Sequence, residues 1–124
     1  VKHYARGLGA ACRDWANTNE ELLVRFIRAM IRATDWFQDA KNKDEFMQLL
    51  LSETKNNKAR AASIYQQSLN ANLGITPRSR IDMEGVRTVL DLRESAGLMK
   101  TPVPKAEKYV DERFYQKALA TLGR

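Results

Sequence analysis

Between Leu22 and Phe37 the apolar residues Leu22, Leu23, Phe26, Ile27, Met30, Ile31, Ala33, Trp36 and Phe37 recur at spacings of three and four. Glu21, Arg25, Arg28, Arg32 and Asp35 fall along another face. This is the period of an amphipathic helix with one side buried. Thr18, with Glu21 three residues on, predicts a capping box at the start of that helix. On the charged side Glu21 precedes Arg25 by four residues, and Arg28 and Arg32 lie near Asp35. That spacing predicts surface ion pairs rather than an arginine stripe reading phosphates.

The pattern repeats in shorter pieces. Asn42 with Glu45 predicts a second cap before Phe46, Met47, Leu49, Leu50 and Leu51, with the helix ending near Thr54. Asn57 predicts the start of a third helix carrying Ala61, Ala62, Ile64, Tyr65, Leu69 and Leu73, closed by a left-handed Gly74. After the Thr76-Pro77 turn, Asp82 predicts the cap of a fourth helix with Met83, Val86, Val89, Leu90 and Leu92 inward and a stop at Gly97. Pro102 and Pro104 favour an extended connector. Asp111 predicts the cap of a last helix with Phe114, Tyr115, Ala118, Leu119 and Leu122 on its apolar side, ending at Gly123. Ahead of all these, Leu8 to Arg13 reads as a short strand or an extended lead-in, with Gly7 and Gly9 suited to close backbone approach or a bend. The expected fold is mainly α: about five helices with at most one short N-terminal strand, in a single unit spanning residues 1–124.

Composition narrows the functions open to such a unit. The chain has 124 residues, 44% hydrophobic and 29% charged, the size and balance of one globular domain. Lys and Arg number 21 against 15 acidic residues, a net charge of +6, yet the cations are scattered and interleaved with acids. A solvated mixed-charge surface is therefore expected in preference to a nucleic-acid footprint. Cys12 is the sole cysteine and His3 the sole histidine, so neither an internal disulfide nor a zinc site can be assembled. Cys12 is expected to be a small, buried, inert side chain. No apolar stretch approaches the roughly 18 residues of a membrane span, and no export signal opens the sequence. The sequence begins at Val1, which suggests a processed chain or a piece of a longer one. The run "GLGAAC" lacks the third glycine and preceding strand of a dinucleotide loop, and no serine elbow or paired-histidine helix occurs. Asp35 and Asp39 sit among cations, where solvation explains them better than acid–base work. Neither an enzyme nor a cofactor is expected. A helix-turn-helix is disfavoured because Gly74 to Ile81 is longer than its short turn and contains Pro77.

Four segments in order carry a resemblance: Arg13-Asp14-Trp15-Ala16; Leu23, Arg25, Phe26, Arg28 and Ala29 in a long helix; Gly85, Arg87, Val89, Leu90, Asp91 and Leu92; and Lys108, Tyr109 and Asp111 before the last helix. Together they resemble the C-terminal part of substrate-binding proteins of ABC importers, in the group serving nitrate, sulfonates, taurine and thiamine-pyrimidine precursors. The resemblance implies a fragment of a two-lobed α/β periplasmic-binding-protein fold, with residues 1–16 an extended, hinge-proximal lead-in. It implies an extracytoplasmic protein that catalyses nothing and delivers a small anionic ligand to membrane permease subunits. Tyr4, Arg6 and Gly7 would lie nearest the hinge crossing and the ligand cleft. The helices would back the sheet of the first lobe, so the chain alone is expected to hide their apolar faces by repacking, dimerising or exchanging helices. The rival expectation is a freestanding basic helical domain for protein interaction or nucleic-acid binding.

Overall fold

The computed structural model describes residues 3–5, 7–72 and 74–123. The chain is mainly α-helical, with six α-helices and no strand among the described residues. The helices are α1 (Arg13–Thr18), α2 (Glu20–Gln38), α3 (Lys43–Glu53), α4 (Lys58–Ser68), α5 (Met83–Ser95) and α6 (Arg113–Ala120). Short 3-10 turns at Ala40–Asn42, Pro77–Ser79 and Ala106–Lys108 join them.

The count is six rather than five because the start of the chain behaves differently from the pattern. Arg13 is already helical, and Leu8 to Cys12 is exposed chain that forms neither helix nor strand. The Thr18 hydroxyl donates to the Asp14 carbonyl at 2.9 Å, and both the backbone and the side-chain amide of Asn19 donate to the Trp15 carbonyl. These bonds finish α1, so the expected Thr18–Glu21 capping box does not form. Asn19 breaks the helix for one residue and α2 begins behind it without a side-chain cap, with Glu20 and Glu21 in its first turn. Cys12, expected to be buried, is exposed, since nothing packs over this segment.

α2 is the spine. It packs on α6, which buries Phe114 and Ala118, and on the Pro77–Ser79 turn, and its own buried residues are Ile31, Thr34 and Phe37. Arg28 and Arg32 do not form the expected pairs with Asp35. Arg28 donates to the Thr121 carbonyl at 3.1 Å and Arg32 to the Leu122 carbonyl at 2.8 Å. Two cations from α2 thus satisfy backbone acceptors left open at the C-terminal end of α6. Asp35 instead lies 3.6 Å from Arg78. α3 and α4 form a hairpin on one end of α2 through an aromatic chain: Phe46 stacks on Phe37 at 5.2 Å and lies 5.7 Å from Tyr65.

A second, smaller core sits apart. Val86 and Leu90 of α5 bury against Ala106, with Ala5, Ile81, Met83, Met99, Val103 and Val110 around them. The connector with Pro102 and Pro104 is therefore non-helical until the Ala106–Lys108 turn, and it folds back on α5 rather than running free.

Several expected ends are observed. Asn57 accepts from the Arg60 amide and Asp82 from the Glu84 amide, each as an N-cap. Gly97 has φ 68°, with Gly97 donating to Glu94 and Leu98 to Arg93, a Schellman end to α5. Others differ. Asn42 donates its side chain to the Trp36 carbonyl, and the capping acceptor is Asp39, which takes the Lys41 amide. The residue preceding α6 is Glu112; Asp111, one earlier, accepts from the Arg113 amide at 3.2 Å. α4 ends at Ser68, so Gly74 is not its left-handed terminus. Glycine is required at 74 for another reason: a Cβ there would stand 2.4 Å from the Ser68 oxygen and 2.5 Å from that of Asn70. Leu73 lies outside the described residues. Gly7 and Gly9 make no close approach, and a Cβ on either would meet open space.

The surface is large for the mass. The chain exposes 9187 Å², whereas a compact 14.2 kDa monomer exposes about 6,800 Å². Leu22, Phe26 and Met30, which the pattern of α2 turned inward, are exposed, Phe26 at 59%, and so is Leu92, expected on the inner face of α5.

Candidate functional site

A long concavity, of about 1540 Å³, runs along the uncovered side of α2. Leu23, Phe26, Ile27, Met30 and Trp36 form its floor, α3 and α4 close one end, and the Tyr109–Tyr115 stretch and Ile81 bound the other side. The half of the α2 stripe that α6 does not cover is thus the inner wall of an open trough.

The lead-in segment lies along the lip of this trough. Tyr4 and Gly7, two of the three residues expected near a ligand cleft, line the same concavity, with Tyr4 41% exposed. Arg6, the third, lies outside the described residues. What holds the segment is a contact that the sequence pattern did not single out. The backbone of Tyr4 and Ala5 packs directly on Gly85, where a Cβ would stand 2.7 Å from the Ala5 nitrogen and 3.0 Å from the Tyr4 carbonyl carbon. His3 adds a clamp, with Nδ1 3.3 Å from an Asp82 oxygen and Nε2 3.6 Å from a Glu84 oxygen. A signal was available. Glycine in the first turn of a helix costs about 1 kcal/mol against alanine, so Gly85 points to a close approach.

The electrostatics of the rim are those of paired surface groups. Partial burial alone would push Asp82 up, but the Gly85 amide, the His3 ring and the Glu84 amide together hold its carboxyl below the ordinary value. The Arg113 guanidinium, donating at 2.7 Å, holds Asp111 below its ordinary value against slight burial. The Glu107 backbone and then Arg87 do the same for Glu107. Burial raises Tyr115, whose hydroxyl donates to the Arg78 carbonyl at 3.1 Å. Arg78 and Ser79 hold φ of 57° and 54°, conformations costly for residues with a Cβ. The turn is kept there from both sides, by Tyr115 of α6 and by the bond from the Ser79 hydroxyl to the Met30 carbonyl of α2 at 3.2 Å.

Among the described residues no three His, Cys, Asp or Glu side chains gather as metal ligands, and no helix is long and apolar enough to cross a membrane. The trough is an apolar surface with a charged rim.

Two outcomes test the lip. Gly85→Ala raises the helix propensity of α5 but pushes the Tyr4–Ala5 backbone off it. Limited proteolysis within residues 3–12 is expected to speed up about tenfold while far-UV helicity holds. An unchanged cleavage rate would mean that the strap is not seated on Gly85. Acid acts on the same place. Because the folded-state value of Asp82 lies below its ordinary 3.8, its contribution is complete above that pH and is lost as pH falls through the lower folded value. Asp82→Asn, which keeps an N-cap acceptor, should remove this acid-dependent loosening, read as hydrogen exchange at Ala5 and Glu84.

The fold and trough define a mainly α-helical chain built on one long amphipathic helix that is covered on one side only. Comparison of the chain with protein-family models, with curated proteins and with solved structures returned no match.

Proposed function

We propose that this chain is the C-terminal helical segment of an extracytoplasmic solute-binding protein of an ABC importer. In this reading it catalyses no reaction and takes part in holding a small anionic solute of the nitrate, sulfonate or taurine kind for delivery to membrane permease subunits. The observation that carries the reading is the one-sided burial of α2, whose exposed Phe26 and Met30 are those of a helical layer made to lie on a further layer. The ordered segments from Arg13-Asp14-Trp15-Ala16 to Lys108-Tyr109 supply the family resemblance. Tyr4 and Gly7 on the trough lip agree with a hinge-proximal role.

The test is the reading frame that contains these codons. It is expected to encode two α/β lobes and an export signal upstream of Val1. Its purified product is expected to show saturable quenching or enhancement of tryptophan fluorescence with one of nitrate, taurine, an alkanesulfonate or a pyrimidine precursor. A frame lacking those lobes overturns the reading. So does a product that binds none of these solutes and instead binds DNA with steep salt dependence.

A further inference from the structure

The segment that carries Tyr4 and Gly7 along the trough has little to hold it. Its described residues ahead of α1 form neither helix nor strand, yet Tyr4, Ala5, Leu8 and Ala11 all line the trough. Among the described residues its polar side-chain ties to the rest of the chain are those of His3. Ala5 adds an apolar contact to the small core around Val86 and Leu90, and Gly85 seats the Tyr4–Ala5 backbone. The anchor of the strap is thus at residues 3–5. We propose that His3 makes this strap a pH-responsive latch, fastened along the trough lip while the imidazole ring is charged and loosened as rising pH removes its proton.

The geometry at the ring carries the proposal. Nδ1 faces an Asp82 oxygen at 3.3 Å and Nε2 faces a Glu84 oxygen at 3.6 Å. A charged imidazolium has an N–H at both positions, whereas the neutral ring has one and turns a lone pair toward the other carboxylate. Only the charged ring suits both neighbours. Histidine side chains exchange this proton within about pH 5–8, a range in which carboxylates ordinarily stay ionised. The neighbouring cations are engaged elsewhere. Arg87, next along α5, donates to Glu107 at 2.9 Å, and Arg113 donates to Asp111 on the connector at 2.7 Å. The charge of Arg80, ahead of the cap, bears on Tyr115.

The clamp is also weak enough to release. The His3 side chain is 31% exposed and that of Glu84 68%, so water competes for both. The latch is therefore fastened on the acid side of the histidine range and loosened on the alkaline side. Far lower in pH it opens again as Asp82 takes up a proton, since the folded-state value of that carboxyl lies below the ordinary one.

The test is chymotrypsin cleavage after Tyr4 and Leu8 in the whole chain, with each rate divided by that of a free peptide of residues 1–12 to remove the pH dependence of the protease. The relative rate is expected to rise about threefold between about pH 6 and about pH 8, with far-UV helicity unchanged. His3→Gln leaves every other titrating group in place and is expected to abolish this rise. Glu84→Gln, which leaves the ring one carboxylate, is expected to reduce it. Solute binding by a longer product enters none of these measurements, so the latch and the transport reading fail separately. A relative rate that is flat with pH, a rise that persists in His3→Gln, or a rise of full size in Glu84→Gln overturns the proposal.

Discussion

Phe37→Ala is expected to cost about 3–5 kcal/mol, a large share of the 5–15 kcal/mol of an ordinary domain. Phe37 is buried on α2 and stacks on Phe46, which in turn meets Trp36 and Tyr65. These contacts join α3 and α4 to the spine, and the buried apolar set that supplements them is small. Removing the ring leaves a cavity at the junction and takes one partner from Phe46, so the loss combines transfer, cavity and ring–ring terms. Urea unfolding followed by near-UV and far-UV dichroism should show the aromatic signal collapsing before the helical one. Leu98→Ala, at a side chain 63% exposed, should stay within about 0.5 kcal/mol. A Phe37→Ala loss no larger than that would mean that the rings are not packed as described.

The second large effect is at the other wall of α2. Ala118 is fully buried where α6 lies on the spine. Ala118→Glu places a carboxylate in the buried seam between α6 and α2, at a cost of about 3–5 kcal/mol. α6 has eight residues, too few to stay helical in water without packing. It is expected to undock as a unit, releasing Phe114, the Arg28 and Arg32 bonds to its terminal carbonyls and the Lys117–Glu20 pair. Hydrogen exchange should show α6 amides losing nearly all protection while α3 and α4 keep theirs. Burial raises the folded-state value of the new carboxyl above its unfolded value. The penalty is therefore full at neutral pH and eases as pH falls through that raised value. Protection of α6 that survives the substitution at neutral pH would refute the placement of Ala118.

The spine shows why local pattern carries so much of this fold. The spacing from Leu22 to Phe37 places a helix there whatever surrounds it, and Asn57, Asp82 and Gly97 act through bonds to residues at most five positions away. The errors arise where a side chain has a choice of partners. Thr18 can cap a following helix or bond back into a preceding one, and only the existence of α1 decides. Arg32 is within reach of Asp35 along the helix, but the carbonyls at 121 and 122 come from a segment about ninety residues away and take Arg28 and Arg32 instead. Gly85 and His3 could not be linked from spacing, because residues 3 and 82 meet only when the lead-in lies on α5.

The sequence by itself determined a basic, mainly helical chain and the helix ends near Thr54 and at Gly97, since period, capping and glycine conformation are local in origin. Tertiary structure alone decided which half of the α2 stripe is covered. α6 and the Pro77–Ser79 turn occupy one side, α5 folds onto its own connector, and Phe26 and Met30 are left on the floor of an open trough. An apolar face states only that burial is favourable, not what will bury it, because the hydrophobic effect is non-directional.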